Sequence, residues 1–182
     1  HLTLSSEWGN QALAGELVKA GKLAEAVPLW EQTLKLNTAI LGPDHPSTLT
    51  SMNNVAEGYR SQGRIDDSLV LFERTLERTR TILGFEHPDT LGSILNLANA
   101  YQSAARIAEA LPLYEQALTL MRGKLGMEHP TTLGTMHNLA MAYLADMKPD
   151  KALPLYAEYL AVYRQQLSSE DPAFAVVLAV VS

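Results

Sequence analysis

Apolar residues recur along the chain at steps of three and four, the spacing of one face of an α-helix. In MNNVAEGYRSQGRIDDSLVLFERTL, residues 52–76, they form two such runs around a turn at Gly63. The runs predict one helix from about Ser47 to Gln62 and a second from about Ile65 to Ile82. The pattern returns as ILNLANAYQSAARIAEALPLYEQAL at 94–118 and MHNLAMAYLADMKPDKALPLYAEYL at 136–160, after a first copy, NQALAGELVKAGKLAEAVPLWEQTL, at 10–34. Each copy begins 42 residues after the last. A fixed period of this size marks a solenoid, in which one supersecondary unit repeats and each copy buries its apolar face on the next.

Several columns hold one kind of residue. Val55, Leu97 and Leu139 precede Ala56, Ala98 and Ala140, and Tyr59, Tyr101 and Tyr143 follow. A small column runs through Ala26, Ser68, Ala110 and Ala152, and an aromatic one through Trp30, Phe72, Tyr114 and Tyr156. Small residues at fixed sites let helices approach closely, and the aromatics fill the space between pairs. Ala105 and Met147 replace Gly63 in the later turns. Pro28, Pro112 and Pro154 are expected near the first turn of their helices, where a missing N–H costs little.

The connectors repeat too: LGPDHP at 41–46, LGFEHP at 83–88, LGMEHP at 125–130 and LSSEDP at 167–172. Gly42, Gly84 and Gly126 stand where a helix ends in the left-handed conformation. Pro46, Pro88 and Pro130 suit the first position of the next helix, which makes His45, His87 and His129 the N-caps. Histidine is a common metal ligand, but the repeat sets these three about one helix pair apart, too far to share an ion. The fourth copy has Asp171 instead, a favoured N-cap that keeps the capping and would spoil a histidine site. The connectors read as punctuation.

The Leu-Ala-x-x-Tyr run, the small residue nine positions on and the aromatic four after that resemble a tetratricopeptide repeat. The 42-residue period, the LG-x-(D/E)-HP connector and the N-(L/V)-A-x-x-Y run resemble its kinesin-light-chain type, over nearly the whole chain. The resemblance implies an all-α fold, a right-handed superhelical solenoid of helix-turn-helix repeats. It further implies one domain over 1–182, with units expected at about 4–45, 46–87, 88–129 and 130–171 and a partial fifth at 172–182.

In that architecture the first helix of each pair lines a concave groove. With the Leu/Val, Ala and Tyr columns committed to packing, the opposite helix face supplies the candidate groove residues. These are Asn53, Asn54, Glu57 and Arg60 in the second unit and Leu95, Asn96, Asn99 and Gln102 in the third. The fourth supplies His137, Asn138 and Met141. Asn54, Asn96 and Asn138 form a column. A carboxamide both donates and accepts, so such a ladder can hold the backbone of an extended peptide, as groove asparagines of tetratricopeptide domains often do. The alternative is that each Asn caps or bridges neighbouring helices. Arg60 is the only basic residue of the set, so a clamp for a C-terminal carboxylate is not expected. Leu95 and Met141 suit a peptide with apolar anchors.

Composition narrows the function. There is no Cys, which excludes disulfides and thiolate chemistry. The formal net charge is −6, and no Lys/Arg cluster is present, so neither nucleic acid nor an anionic membrane is an expected partner. The longest apolar run, AFAVVLAVV at 173–181, is far short of the roughly 20 residues that span a bilayer. The start, HLTLSSEWGN, has neither Met nor the basic and apolar regions of a signal peptide; a fragment of a longer, cytoplasmic protein is expected. No phosphate loop or HExxH run occurs. The acid pairs Asp66/Asp67 and Glu170/Asp171 sit at helix starts, where they offset the helix dipole. No catalysis, cofactor or metal is expected. The reading is a protein- or peptide-binding scaffold. A second reading is a structural or self-associating segment, making contact through 172–182, of a larger protein such as the bacterial kinases and signalling ATPases that carry similar arrays.

Overall fold

The computed structural model describes residues 4–166, and among these there are helices and no strands. The predicted helices are present in order: α1 (Leu4–Lys19), α2 (Leu23–Ile40), α3 (Pro46–Ser61), α4 (Ile65–Leu83), α5 (Pro88–Ser103), α6 (Ile107–Leu125), α7 (Pro130–Ala145) and α8 (Pro149–Gln166). The helix expected at 172–182 lies outside the described residues. Two compact units divide between Arg106 and Ile107. In the first, α1 packs on α2, α2 on α3, α3 on α4 and α4 on α5, with α3 also touching α5. In the second, α6 packs on α7 and α7 on α8.

The columns become the core. Val55, Ala56, Leu97 and Ala98 are buried in the first unit, and Leu139 and Ala140 in the second. The small residues Ala26, Ser68, Ala110 and Ala152 are wholly enclosed, as are Phe72 and Tyr114 to within 1%. Gly58 shows how tightly the α2–α3 contact is fitted. A Cβ there would lie 2.6 Å from Val27 Cγ2 and 3.2 Å from the Trp30 ring. The later copies carry Ala100 and Ala142 at this step, in register with the smaller rings of Phe72 and Tyr114.

Histidine does cap the helices. His45, His87 and His129 are extended (φ near −68°, ψ 133–140°), and each Nδ1 accepts from the backbone N–H two residues on, Ser47, Asp89 and Thr131, at 3.2 Å. His87→Asp should therefore leave the urea midpoint nearly unchanged, whereas His87→Ala should lower stability by about 1 kcal/mol. Equal losses in both variants would show that the imidazole does something other than cap.

Two local expectations are corrected. Gly84 has the positive φ expected, 84°, but ψ is 169°, so the helix ends in a region essentially confined to glycine and not in the left-handed helical well. Pro28, Pro112 and Pro154 stand at the sixth residue of α2, α6 and α8, beyond the first turn. Each deprives the carbonyl four residues back of its N–H, but Ala24, Ala108 and Asp150 are exposed, so water can take that place. Ala105 and Met147 keep the left-handed turn that Gly63 makes, both at φ 57°. Met147 is 86% exposed, so its side chain returns little for that strain. Met147→Gly should raise stability by about 1 kcal/mol; a lower thermal midpoint would contradict this.

The Tyr column has a polar partner that sequence reasoning missed. Tyr59 Oη donates to Glu31 Oε1 and Tyr101 Oη to Glu73 Oε1, each at 2.6 Å, and Tyr143 donates to Glu115. Each bond ties a first helix to the second helix of the preceding pair. Arg64 lies over the Tyr59 ring at 3.7 Å and Arg106 over Tyr101 at 4.6 Å, a favourable cation–π arrangement. Burial, and then the Glu115 carboxylate, push the Tyr143 hydroxyl up to about 12. The unfolded chain releases that proton near its ordinary value of about 10. Between these values the unfolded state binds fewer protons, so stability should be flat to about pH 10 and fall as pH rises further. Tyr143→Phe should flatten that fall in a pH series of urea melts; an unchanged slope would place the titration elsewhere.

Candidate functional site

On α3 and α5 the packing columns turn one face inward and leave the other for the asparagines. Asn53 and Asn54 from α3 and Asn96 from α5 line one recess of about 320 Å³, walled on its apolar side by Leu49, Ile82 and Leu83. Asn54 and Asn96 are half-buried, and their carboxamides make no hydrogen bond among the described residues. Asn53 Oδ1 is enclosed and has no donor. The asparagine that does bridge helices is Asn37, on α2. Its Nδ2 donates to Ser51 Oγ at 2.9 Å and to the Ser47 carbonyl at 3.3 Å. Sequence reasoning missed it because its column, Thr79 and Met121, carries no shared chemistry.

Glu57 and Arg60 do not line this recess. Arg60 Nη2 and Nε hold the two Glu57 oxygens at 2.6 and 2.9 Å, and Nη1 donates to Ser103 Oγ of α5 at 3.0 Å. The guanidinium is thus balanced by a carboxylate and ties α3 to α5. Leu95, Asn99 and Gln102 sit half-buried on α5, outside the recess.

In the second unit His137 and Asn138 of α7 share a recess of about 470 Å³ with Tyr159 and Tyr163 of α8. The His137 ring lies 5.9 Å from that of Tyr156 and 6.2 Å from that of Tyr159, and Tyr159 stacks on Tyr163 at 5.7 Å. Burial, and then Tyr159, push the Tyr156 hydroxyl up. Met141 is exposed on α7 beside Leu144, outside the recess. The chemistry on offer is hydrogen bonding and apolar contact. Among the described residues no group of three or more acids and histidines could hold a metal ion, and no helix is long and apolar enough to cross a membrane.

A tetratricopeptide repeat family model matches residues 8–81 and 86–165. No curated protein matches the chain. Among solved structures, the chain is similar to a Podosopora anserina protein described as a kinesin light chain with nearly identical TPR-like repeats. Identity is 32%, with 93% of this chain and 80% of that one covered, and the TM-score is 0.83. A single-substitution form of the same repeats aligns at 31% identity over 97% and 84% of the two chains, with a TM-score of 0.86. BtubC (BKLC) from P. vanneervenii, at 22% identity over 92% and 67% and a TM-score of 0.76, shares the fold.

Proposed function

This chain belongs to the tetratricopeptide repeat family, and from that premise we propose that it is a scaffold binding extended peptide or protein segments on the first-helix faces of each unit, those of Asn54 and Asn96 in the first and that of Asn138 in the second. Repeat arrays of this family are generally interaction scaffolds, and the fold alone fixes no ligand. The observation that carries the reading is the pair Asn54 and Asn96. They sit on neighbouring first helices, in one recess, with carboxamides unused inside the described chain. A carboxamide can serve both the N–H and the C=O of a passing backbone. The second unit, taken by itself, offers the exposed Met141 and Leu144 and the aromatic recess at His137 as apolar contacts. No catalytic role, cofactor or metal is part of the proposal; a cytoplasmic setting is, and cell fractionation of the parent protein tests it. The binding test is capture from a pool of random, end-blocked peptides on the 182-residue chain. Sequence-selective retention supports the proposal, and none at all sinks it.

A second reading, a surface for self-association, has its own observation. Leu153 is 65% exposed on α8, whereas Val27 and Leu69, at the same step of the pattern in the first two copies, are buried. A polar replacement there, Leu153→Glu, should leave the mass seen by light scattering unchanged if this face is not a contact between copies.

A further inference from the structure

The recess between α3, α4 and α5 is not uniformly polar. Its wall is aliphatic, built from Leu49, Ile82 and Leu83, while the ionisable side chains at its edge are the carboxylates of Asp44 and Asp89. No lysine or arginine lines it. The first-turn N–H groups of α3 and α5 that lie nearby, Ser47 and Asp89, already donate to the imidazoles of His45 and His87, so these helix ends do not call for an anion. Asp44 is engaged by Arg78. The Asp89 side chain is 67% exposed and has only His87 Nδ1 near it among the described residues, at 3.8 Å. A long aliphatic stem ended by a positive charge matches the aliphatic wall and the exposed Asp89 carboxylate together, since lysine and arginine lay their methylenes on apolar surface and carry the charge outward.

We propose that this recess is a side-chain pocket selecting a lysine or arginine of the bound peptide. The stem lies against Leu49 and Ile82, and the cation is held by Asp89. The inference rests on the peptide-binding reading above and adds the residue type that the site selects. The volume of about 320 Å³ leaves room for either side chain with water around its head.

The test uses the full 182-residue chain and sets of random nonapeptides, acetylated and amidated at their ends, with the central residue fixed as Lys, Arg, norleucine or Glu. Lys- and Arg-centred sets should be retained at least about tenfold better than the norleucine set, the scale of one hydrogen bond to a charged group. The preference should shrink as salt is raised, because Asp89 is exposed and its attraction is screened. Asp89→Asn should bring Lys and norleucine sets to within about threefold of each other while the circular dichroism spectrum stays the same. Selective retention with no Lys/Arg preference, or a preference that survives Asp89→Asn, overturns the pocket and leaves peptide binding standing. A failure of every set to bind overturns both.

Discussion

Phe72→Ala should cost about 3–5 kcal/mol, enough to lower the thermal midpoint of the chain by about 6–20 °C. Phe72 is 1% exposed and sits on α4, which packs on α3 on one side and α5 on the other. Its removal leaves a cavity among helices whose backbones are already held close by Ala56, Ser68 and Ala98, so little can collapse into the space. Two residues away on the same helix, Val70 is 63% exposed. Val70→Ala should stay within about 0.5 kcal/mol of the parent. Urea melts followed by circular dichroism separate the two. Similar losses at both positions would mean that the inward and outward faces of α4 are assigned wrongly.

The second large effect is on binding. Asn54→Ala with Asn96→Ala should weaken a captured peptide by at least about tenfold, and by about a hundredfold where both carboxamides hold its backbone, at roughly 1 kcal/mol per net hydrogen bond with its unpaired partner adding to the loss. Stability should be unchanged or slightly raised. No hydrogen bond within the described chain is lost, and alanine is the better helix former on α3 and α5. Loss of folding in this double variant would assign the two side chains to holding the helices together. Asn37→Ala provides the contrast: it removes a buried bridge between α2 and α3, so it should destabilise the fold and leave the peptide contact alone.

Features set by local spacing were legible in the sequence. The 42-residue step set out the helix pairs, and the helix predicted at about 47–62 is α3, one residue displaced. The His-Pro starts were legible because a cap involves residues two apart. Features set by two helices meeting were harder. Nothing in the run around Tyr59 reveals that its hydroxyl meets Glu31, 28 positions earlier. The signal was present, since Glu31, Glu73 and Glu115 recur at the repeat step, but only the packing gives it meaning. Helix-face spacing set Asn53, Asn54 and Asn96 on one side of their helices, and the three line one recess. It could not show that Glu57 and Arg60 would satisfy each other and reach Ser103, because that depends on how α5 lies against α3. The aromatic recess beside His137 was hidden for the same reason: Tyr159 and Tyr163 replace small or slender residues, and their rings turn toward α7 only in the folded pair.

Hydrogen exchange on the 182-residue chain, with and without a saturating amount of the best-retained peptide, tests the groove most directly. Slowed exchange in the segments carrying Asn54 and Asn96, with the exposed side of α4 around Val70 unaffected, is the result predicted. Slowing confined to that α4 surface, or none anywhere despite saturation, would contradict it.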